Sequence, residues 1–331
     1  MPAKRTEPER HPGDDADACP GDGAGAHTGD DPREKTLGST MLSRRNFLTA
    51  VGISAAGVLA GCSPEAREEY FQKHFLELSG DEVERRLARI RSDCQQRFGR
   101  EAQVSARPAE EGVVYGYALD LSRCIGCRRC VYACVKENNQ SRDPQIQWIR
   151  VLEMEKEKGV DFEAANPYYD PERVPDPDHF YLPVACQQCR HPQCTRVCPV
   201  GATWQEPDGI VVVDYDWCIG CRFCMAACPY GARHFNWGEP HVPAEEFNPN
   251  LHLLGNRPRP QGVVEKCTFC VQRVRAGRYP ACVEICPVGA RKFGNLADHE
   301  GEMSRILREK RVFVLKAELK TEPKFYYFYG I

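Results

Sequence analysis

Sixteen of the 19 cysteines lie between positions 124 and 286, in four groups of four. The groups read Cys124-x2-Cys127-x2-Cys130-x3-Cys134, Cys186-x2-Cys189-x4-Cys194-x3-Cys198, Cys218-x2-Cys221-x2-Cys224-x3-Cys228 and Cys267-x2-Cys270-x11-Cys282-x3-Cys286. An iron–sulfur cubane takes four thiolates around a compact core. Three cysteines two residues apart let one loop wrap three corners of such a core. A fourth, three residues on, lies past the start of a helix and points toward a second core, as in the run C-x2-C-x2-C-x3-C-P. Cys218–Cys228, followed by Pro229, matches that run, and Cys124–Cys134 matches it except for Val135 in place of proline. Sixteen thiolates suffice for four [4Fe–4S] clusters, with no ligand position missing.

Two other chemistries use the same residue type. CxxC pairs also build four-cysteine zinc sites. Those sites pair two knuckles and do not need triple-cysteine runs closed by x3-Cys-Pro. A disulfide framework suits small domains short of core, and it does not repeat one local spacing four times. A structural zinc protein therefore stands as the alternative that metal analysis separates.

The elements that must position these ligands are repeated. Residues 120–134, DLSRCIGCRRCVYAC, align without gaps with residues 214–228, DYDWCIGCRFCMAAC. A β-rich run precedes each, VVYGYALD at 113–120 and GIVVVDYD at 209–216. The unit is strand, cluster loop, short helix, and its recurrence implies duplication. Pro-Val-Gly-Ala follows both Cys198 and Cys286, and Ile-Gly recurs inside both aligned runs, although ligation requires neither. Glycine there lets the backbone approach a cluster closely. Upstream, residues 64–100 read as two helices, the later one opened by the capping box Ser79-Gly80-Asp81-Glu82. Val83, Leu87, Ile90, Cys94 and Phe98 recur on one face of it, so Cys94 is a core residue and not a ligand. A further strand is expected over 147–155.

The four groups in this order resemble the iron–sulfur subunits of DMSO-reductase-superfamily complexes. Relatives of that family include the electron-transfer subunits of polysulfide, tetrathionate and thiosulfate reductases and the NrfC, HybA and DsrO types. The resemblance covers residues 112–331. It implies an α+β fold of two bacterial-type double-cluster ferredoxin modules related by duplication, with long loop insertions and an N-terminal helical segment. Module one takes 112–137 plus 265–294, and module two takes 180–232. Docking insertions occupy 138–179 and 233–264; wrapping over the chain's own clusters is the other use for them. The resemblance also implies the ligand sets. Cluster one takes Cys124, Cys127, Cys130 and Cys286; cluster two takes Cys134, Cys267, Cys270 and Cys282. Cluster three takes Cys186, Cys189, Cys194 and Cys228; cluster four takes Cys198, Cys218, Cys221 and Cys224. The implied partners are a molybdopterin-type catalytic subunit and an NrfD-like integral membrane quinone subunit.

The N-terminal part reads as an address. Ser43-Arg44-Arg45-Asn46-Phe47-Leu48 fits a twin-arginine core, and a Gly/Ala-rich apolar stretch too short for a span follows it. Residues 41–62 form this signal, and Leu59-Ala60-Gly61-Cys62 resembles a lipobox, making Cys62 a candidate lipidation site. Ordinary cleavage nearby or an uncleaved anchor is the alternative. Residues 1–40, rich in Pro, Gly and acidic side chains, cannot bury a core, and Met41 is the natural initiator. Residues 63–111 make a helical linker. The expected location is the periplasmic side of the cytoplasmic membrane.

A net charge of −3 offers nothing to nucleic acid, and no apolar run reaches the length of a membrane helix. Cations flank the ligands at Arg123, Arg128, Arg129, Arg190, Arg222, Arg233, Lys266 and Arg273, most of them expected on the solvated surface. The function expected is electron transfer without catalysis. A self-sufficient reductase of sulfur compounds is the competing reading, but no Ser/His/Asp or Cys/His constellation lies outside the ligands.

Overall fold

The structure, a computed structural model, describes residues 79–330. The extension at 1–40, the signal at 41–62 with Cys62, and the earlier of the two helices expected over 64–100 lie outside the described residues. The chain runs α1 (Gly80–Phe98), β1 (Gln103–Ser105), β2 (Tyr115–Asp120), α2 (Arg129–Glu137), β3 (Arg150–Glu155) and β4 (His179–Val184). It continues with α3 (Gln193–Arg196), β5 (Thr203–Gln205), β6 (Val211–Val213), α4 (Phe223–Ala226), β7 (His234–Phe235), β8 (Asn250–His252) and β9 (Val264–Glu265). The last elements are α5 (Val271–Val274), α6 (Ala281–Glu284), β10 (Arg291–Asn295), α7 (Glu302–Glu309), β11 (Val312–Phe313) and β12 (Phe325–Phe328).

Short strands set the positions of the cysteine groups. β2 pairs antiparallel with β10, Leu119 opposite Arg291. β2 leads into Cys124 and β10 follows Cys286, so this one pairing brings the first and fourth groups to the same end of the sheet. β12 adds in parallel to the other side of β2, giving the order β10-β2-β12-β11. Tyr117, Leu119 and Tyr327 of this sheet are buried, and the Tyr117 and Phe325 rings stack at 4.4 Å. The β5–β6 hairpin joins the second group to the third. β7, which follows Cys228, pairs with β9, which leads into Cys267. That pair ties the two halves of the cluster domain together.

The strand–loop–helix unit holds at both repeats, as β2–α2 and β6–α4, but the helices differ in length, 9 residues against 4. Pro229 directly after Cys228 explains the difference. Proline lacks the N–H a helix needs and disfavours helical geometry in the residue before it, whereas Val135 lets α2 continue. Strand β3 spans Arg150–Glu155, shorter than the 147–155 read from the sequence. Ahead of it the Trp148 N–H donates to Gln140 Oε1 at 3.0 Å instead of to a neighbouring strand.

Both insertions lie largely against the chain itself. In 233–264, Phe247, Leu251, Arg259, Val263 and Val264 are buried; in 138–179, Trp148, Val151, Met154 and Tyr169 are. Helix α1 seats on the later insertion. Leu87, Ile90 and Cys94 pack with Val242, Phe247 and Leu251, and Phe98 stacks on Phe247 at 4.2 Å. The expected cap is present: Glu82 N–H donates to Ser79 Oγ at 3.3 Å, and Ser79 N–H to the Glu82 carboxylate at 2.9 Å. Arg86 and Arg89 bind Asp214 and Asp216 beside β6, each at 2.7 Å. Among the described residues, no helix is long and apolar enough to cross a membrane.

Candidate iron–sulfur cluster sites

Each cysteine group sits on a loop bent by left-handed residues. The first has Gly126 at φ 74° and Arg128 at 53°; the third has Gly220 at 75° and Arg222 at 64°. The second has Gln188 at 46°, and the fourth has Phe269 and Cys270 at 54° and 53°. At the two glycines the reason is partly steric. A Cβ on Gly126 would stand 2.5 Å from the Tyr181 ring, and one on Gly220 would stand 2.3 Å from the Gly262 carbonyl oxygen.

The loops gather cysteines from different groups. Cys124, Cys127, Cys130 and Cys286 line one cavity. Cys198, Cys218, Cys221 and Cys224 line another. Among the described residues, no three His, Cys, Asp or Glu side chains converge as a single bound ion requires. The other eight thiols are grouped by their electrostatic neighbours. Burial raises the Cys134 thiol well above the ordinary range, and Cys270, Cys267 and Cys282 raise it further. Burial and then Cys186, with Cys194 and Cys228 also facing it, push Cys189 up to about 12. Such thiols ionise when they ligate a metal.

Thiols of different expected quartets come within electrostatic reach of one another: Cys282 raises the Cys130 thiol, Cys186 the Cys267 thiol and Cys194 the Cys224 thiol. The middle junction is bonded through Gln188, whose Nε2 donates to the Cys267 carbonyl at 2.7 Å and whose Oε1 accepts from Val211 N–H at 2.8 Å.

The flanking cations divide. Arg123, Arg129, Arg190 and Arg222 are exposed and Arg128 is half-buried, in keeping with the surface role expected for most of the eight, whereas Arg233, Lys266 and Arg273 are buried. Lys266 donates to the carbonyls of Val211 and Cys267. Arg273 pairs with Glu137 at 3.0 Å and binds the Tyr279 carbonyl at 2.7 Å. Of these three, Arg233 reaches a thiol, with Nη2 at 3.0 Å from Cys194 Sγ. Its Nε and Nη1 are buried without a hydrogen-bond partner among the described residues, as donors awaiting acceptors in the lined space would be. Sequence reading missed Arg291, whose Nη2 lies 3.0 Å from Cys130 Sγ. It also missed Gln140 and Asn138, which reach Cys134 Sγ at 3.1 and 3.5 Å. The signal for Arg291 was present: Cys-Pro-x-Gly-Ala-Arg occurs at both 228–233 and 286–291.

Residues 177–244 and 256–296 match one family of 4Fe-4S dicluster domains, and residues 119–202 match a second family of the same description. The chain is 45% identical over 217 residues to the iron–sulfur component of a putative dimethyl sulfoxide reductase of Halobacterium salinarum, covering 65% of this chain and 79% of that one. It belongs to the iron–sulfur subunits of DMSO-reductase-type complexes. This iron–sulfur subunit is also 37% identical over 316 residues to the first iron–sulfur subunit of the Hdr-like menaquinol oxidoreductase of Archaeoglobus fulgidus, covering 87% and 98% of the two chains. It is 40% identical over 220 residues to a subunit of the selenate reductase of Mesobacillus selenatarsenatis, covering 63% and 70%. The subunit carries four [4Fe–4S] clusters and serves a reductase complex as its electron-transfer component, not its catalytic one.

Proposed function

We propose that the four quartets are the ligand sets named above and that the subunit connects a membrane quinol-reactive subunit to a molybdopterin-type catalytic subunit. The observation that supports it is the electrostatic proximity of thiols from neighbouring sets, Cys130 with Cys282, Cys267 with Cys186 and Cys194 with Cys224. A bound [4Fe–4S] cluster supplies reversible one-electron chemistry. The protein's part is to hold the thiolates, exclude water and set the local charge. Gly126 and Gly220 let the loops close, β7–β9 fixes one module to the other, and Arg259 of the 233–264 segment holds the turn that follows Cys134.

A relative named as a menaquinol oxidoreductase subunit supports the quinol end. The acceptor follows the catalytic partner, since the relatives' names divide between dimethyl sulfoxide and selenate. The twin-arginine run at 43–48 supports export of the folded, cluster-loaded subunit to the periplasmic side, with Cys62 as a lipid attachment point. The deciding experiment is anaerobic isolation of the complex from membranes, followed by a reduced menaquinone analogue under EPR. Reduction of the clusters by the quinol, and their reoxidation only when the catalytic subunit and its acceptor are present, is the expected result. Turnover of an acceptor by this chain alone would overturn it.

A further inference from the structure

Each module contains one buried arginine at the same offset, five residues after the last cysteine of its group, in a Cys-Pro-x-Gly-Ala-Arg run. Arg291 follows Cys286, and Arg233 follows Cys228; both are at least nine-tenths buried. Each donates across the module to the third cysteine of the partner group, Arg291 to Cys130 and Arg233 to Cys194, both at 3.0 Å. The equivalent offset after the other two groups carries no cation. Thr203 stands five residues after Cys198, and its hydroxyl accepts from Arg233 at 2.9 Å. Asn139 stands five residues after Cys134, and its side chain donates to the carbonyls of Asn248 and Asn256. At this offset the approximate symmetry of each module is thus broken by one positive charge.

That charge touches both quartets of its module. Arg291 Nη1 donates to the Tyr117 hydroxyl at 2.8 Å, and that hydroxyl lies 3.6 Å from Cys282 Sγ. Guanidinium has no acceptor, so the Tyr117 oxygen must accept from it, and its own proton is left to point at Cys282. The chain therefore runs from Cys130 of the first quartet, through Arg291 and Tyr117, to Cys282 of the second. Arg233 stands likewise, bonded to Cys194 of the third quartet while lining the cavity of the fourth. Reduction adds negative charge to a cluster, and both a nearby cation and hydrogen bonds to ligand sulfur favour the reduced form.

We propose that Arg291, acting directly on Cys130 and through Tyr117 on Cys282, sets the redox potentials of both clusters of the first module, and that Arg233 is its counterpart in the second. The inference rests on the ligand sets proposed above. Both residues are positioning residues that act through the ligand sulfurs.

The test is an EPR-monitored redox titration of the anaerobically isolated complex, with signals assigned through single-ligand variants and iron counted in every sample. Arg291→Gln should move the potentials at the first and second quartets downward and leave the third and fourth in place. Arg291→Lys, which keeps the charge, should recover most of the shift at the first quartet. Tyr117→Phe should lower the second quartet alone. Arg233→Gln should repeat the pattern in the second module. Full iron content with unmoved potentials, or an equal shift of all four clusters, overturns the inference. If Arg291→Gln assembles no cluster, Tyr117→Phe decides, since it removes only the hydroxyl of a residue already stacked as an aromatic. A wild-type iron content short of four cubanes instead overturns the ligand assignment beneath it.

Discussion

Arg259 and Glu265 form an ion pair at 2.6 Å with both side chains withdrawn from water. The same guanidinium holds the carbonyls of Asn138 and Asn139 at 2.7 and 2.9 Å. Arg259 therefore clamps the segment leaving Cys134 onto the strand that enters Cys267, two cysteines of one proposed quartet supplied from distant parts of the chain. Removing one partner of a buried pair leaves an uncompensated charge, at a cost of about 3–5 kcal/mol. Glu265→Gln should lower the thermal transition accordingly, and the second quartet's cluster should be lost first. Melting followed by visible absorbance, with iron counted before and after, checks both. A melting temperature equal to wild type would show that the clamp carries no stability.

Cysteine substitutions separate ligands from core. Cys94 is buried on α1, where burial pushes its thiol up to about 11 and the charged groups around it are Asp93, Arg97 and Arg257 rather than other thiols. Cys94→Ala should keep the full iron complement and lose about 1 kcal/mol, the usual scale for a small core change. Cys124→Ala should lose one cubane, about four iron atoms, together with its EPR signal. Four intact cubanes in Cys124→Ala would contradict the ligand set of the first quartet.

Much of this arrangement was written in local spacing. The sixteen cysteines, the strand–loop–helix repeat and the cap at Ser79 are all short-range patterns, and local geometry decides them. Cys94 was legible as core because helical period put it on one face with Leu87 and Ile90. Burial of the cations was not legible. The sequence expected most of the eight cations at the surface but could not single out Arg233, Lys266 and Arg273 as buried, because their acceptors come from elsewhere: the Cys194 thiol, the Val211 carbonyl and the Glu137 carboxylate. Gln140 and Asn138 escaped the sequence reading for the same reason, since only the folded turn after α2 returns them to Cys134. The glycines were identified with an incomplete reason. Proximity to a cluster was expected, whereas the crowding at Gly126 and Gly220 comes from Tyr181 and Gly262.

That crowding makes Gly126 sensitive. Its φ of 74° is one that residues with a Cβ rarely adopt, and the added carbon would stand 2.5 Å from Tyr181 Cδ1. Backbone strain of this kind costs about 1–3 kcal/mol, and displacement of the buried Tyr181 ring adds to it. Gly126→Ala should destabilise the loop that holds Cys124, Cys127 and Cys130 and deplete the first cluster selectively. Gly159, at φ 70° but with nothing within 4 Å of an added Cβ, is the control. Gly159→Ala should keep all four clusters. Equal iron content in the two variants would remove the steric argument.

Export offers an independent check on the proposed location. Arg44→Lys combined with Arg45→Lys retains the charge and changes only the twin-arginine chemistry. The doubly substituted precursor should accumulate inside the cell with its clusters assembled, seen as a brown, iron-loaded cytoplasmic fraction. Unchanged export of that variant would remove the twin-arginine reading without touching the cluster assignment.

Acid should weaken the seat of the N-terminal helix through His252. The Leu254 N–H donates to His252 Nδ1 at 3.1 Å, so that nitrogen is an acceptor, and Nε2 carries the proton toward the Arg107 carbonyl at 3.0 Å. Burial first, with Arg275 nearby, lowers the imidazole from an ordinary 6.5 to about 4. Above pH 6.5 both folded and unfolded chains hold it neutral, and the stability is fully present. As pH falls below 6.5 the unfolded chain takes up a proton that the folded chain refuses. The loss grows by about 1.4 kcal/mol per pH unit and stops near pH 4, where the folded imidazole also protonates. The total is roughly 3 kcal/mol. His252→Gln removes this titration while leaving a neutral polar side chain. The stability advantage of wild type over His252→Gln should therefore shrink from about pH 7.5 to about pH 5, measured as the difference in their melting temperatures at each pH. A gap that stays constant across that range would mean that His252 does not titrate in the unfolding equilibrium.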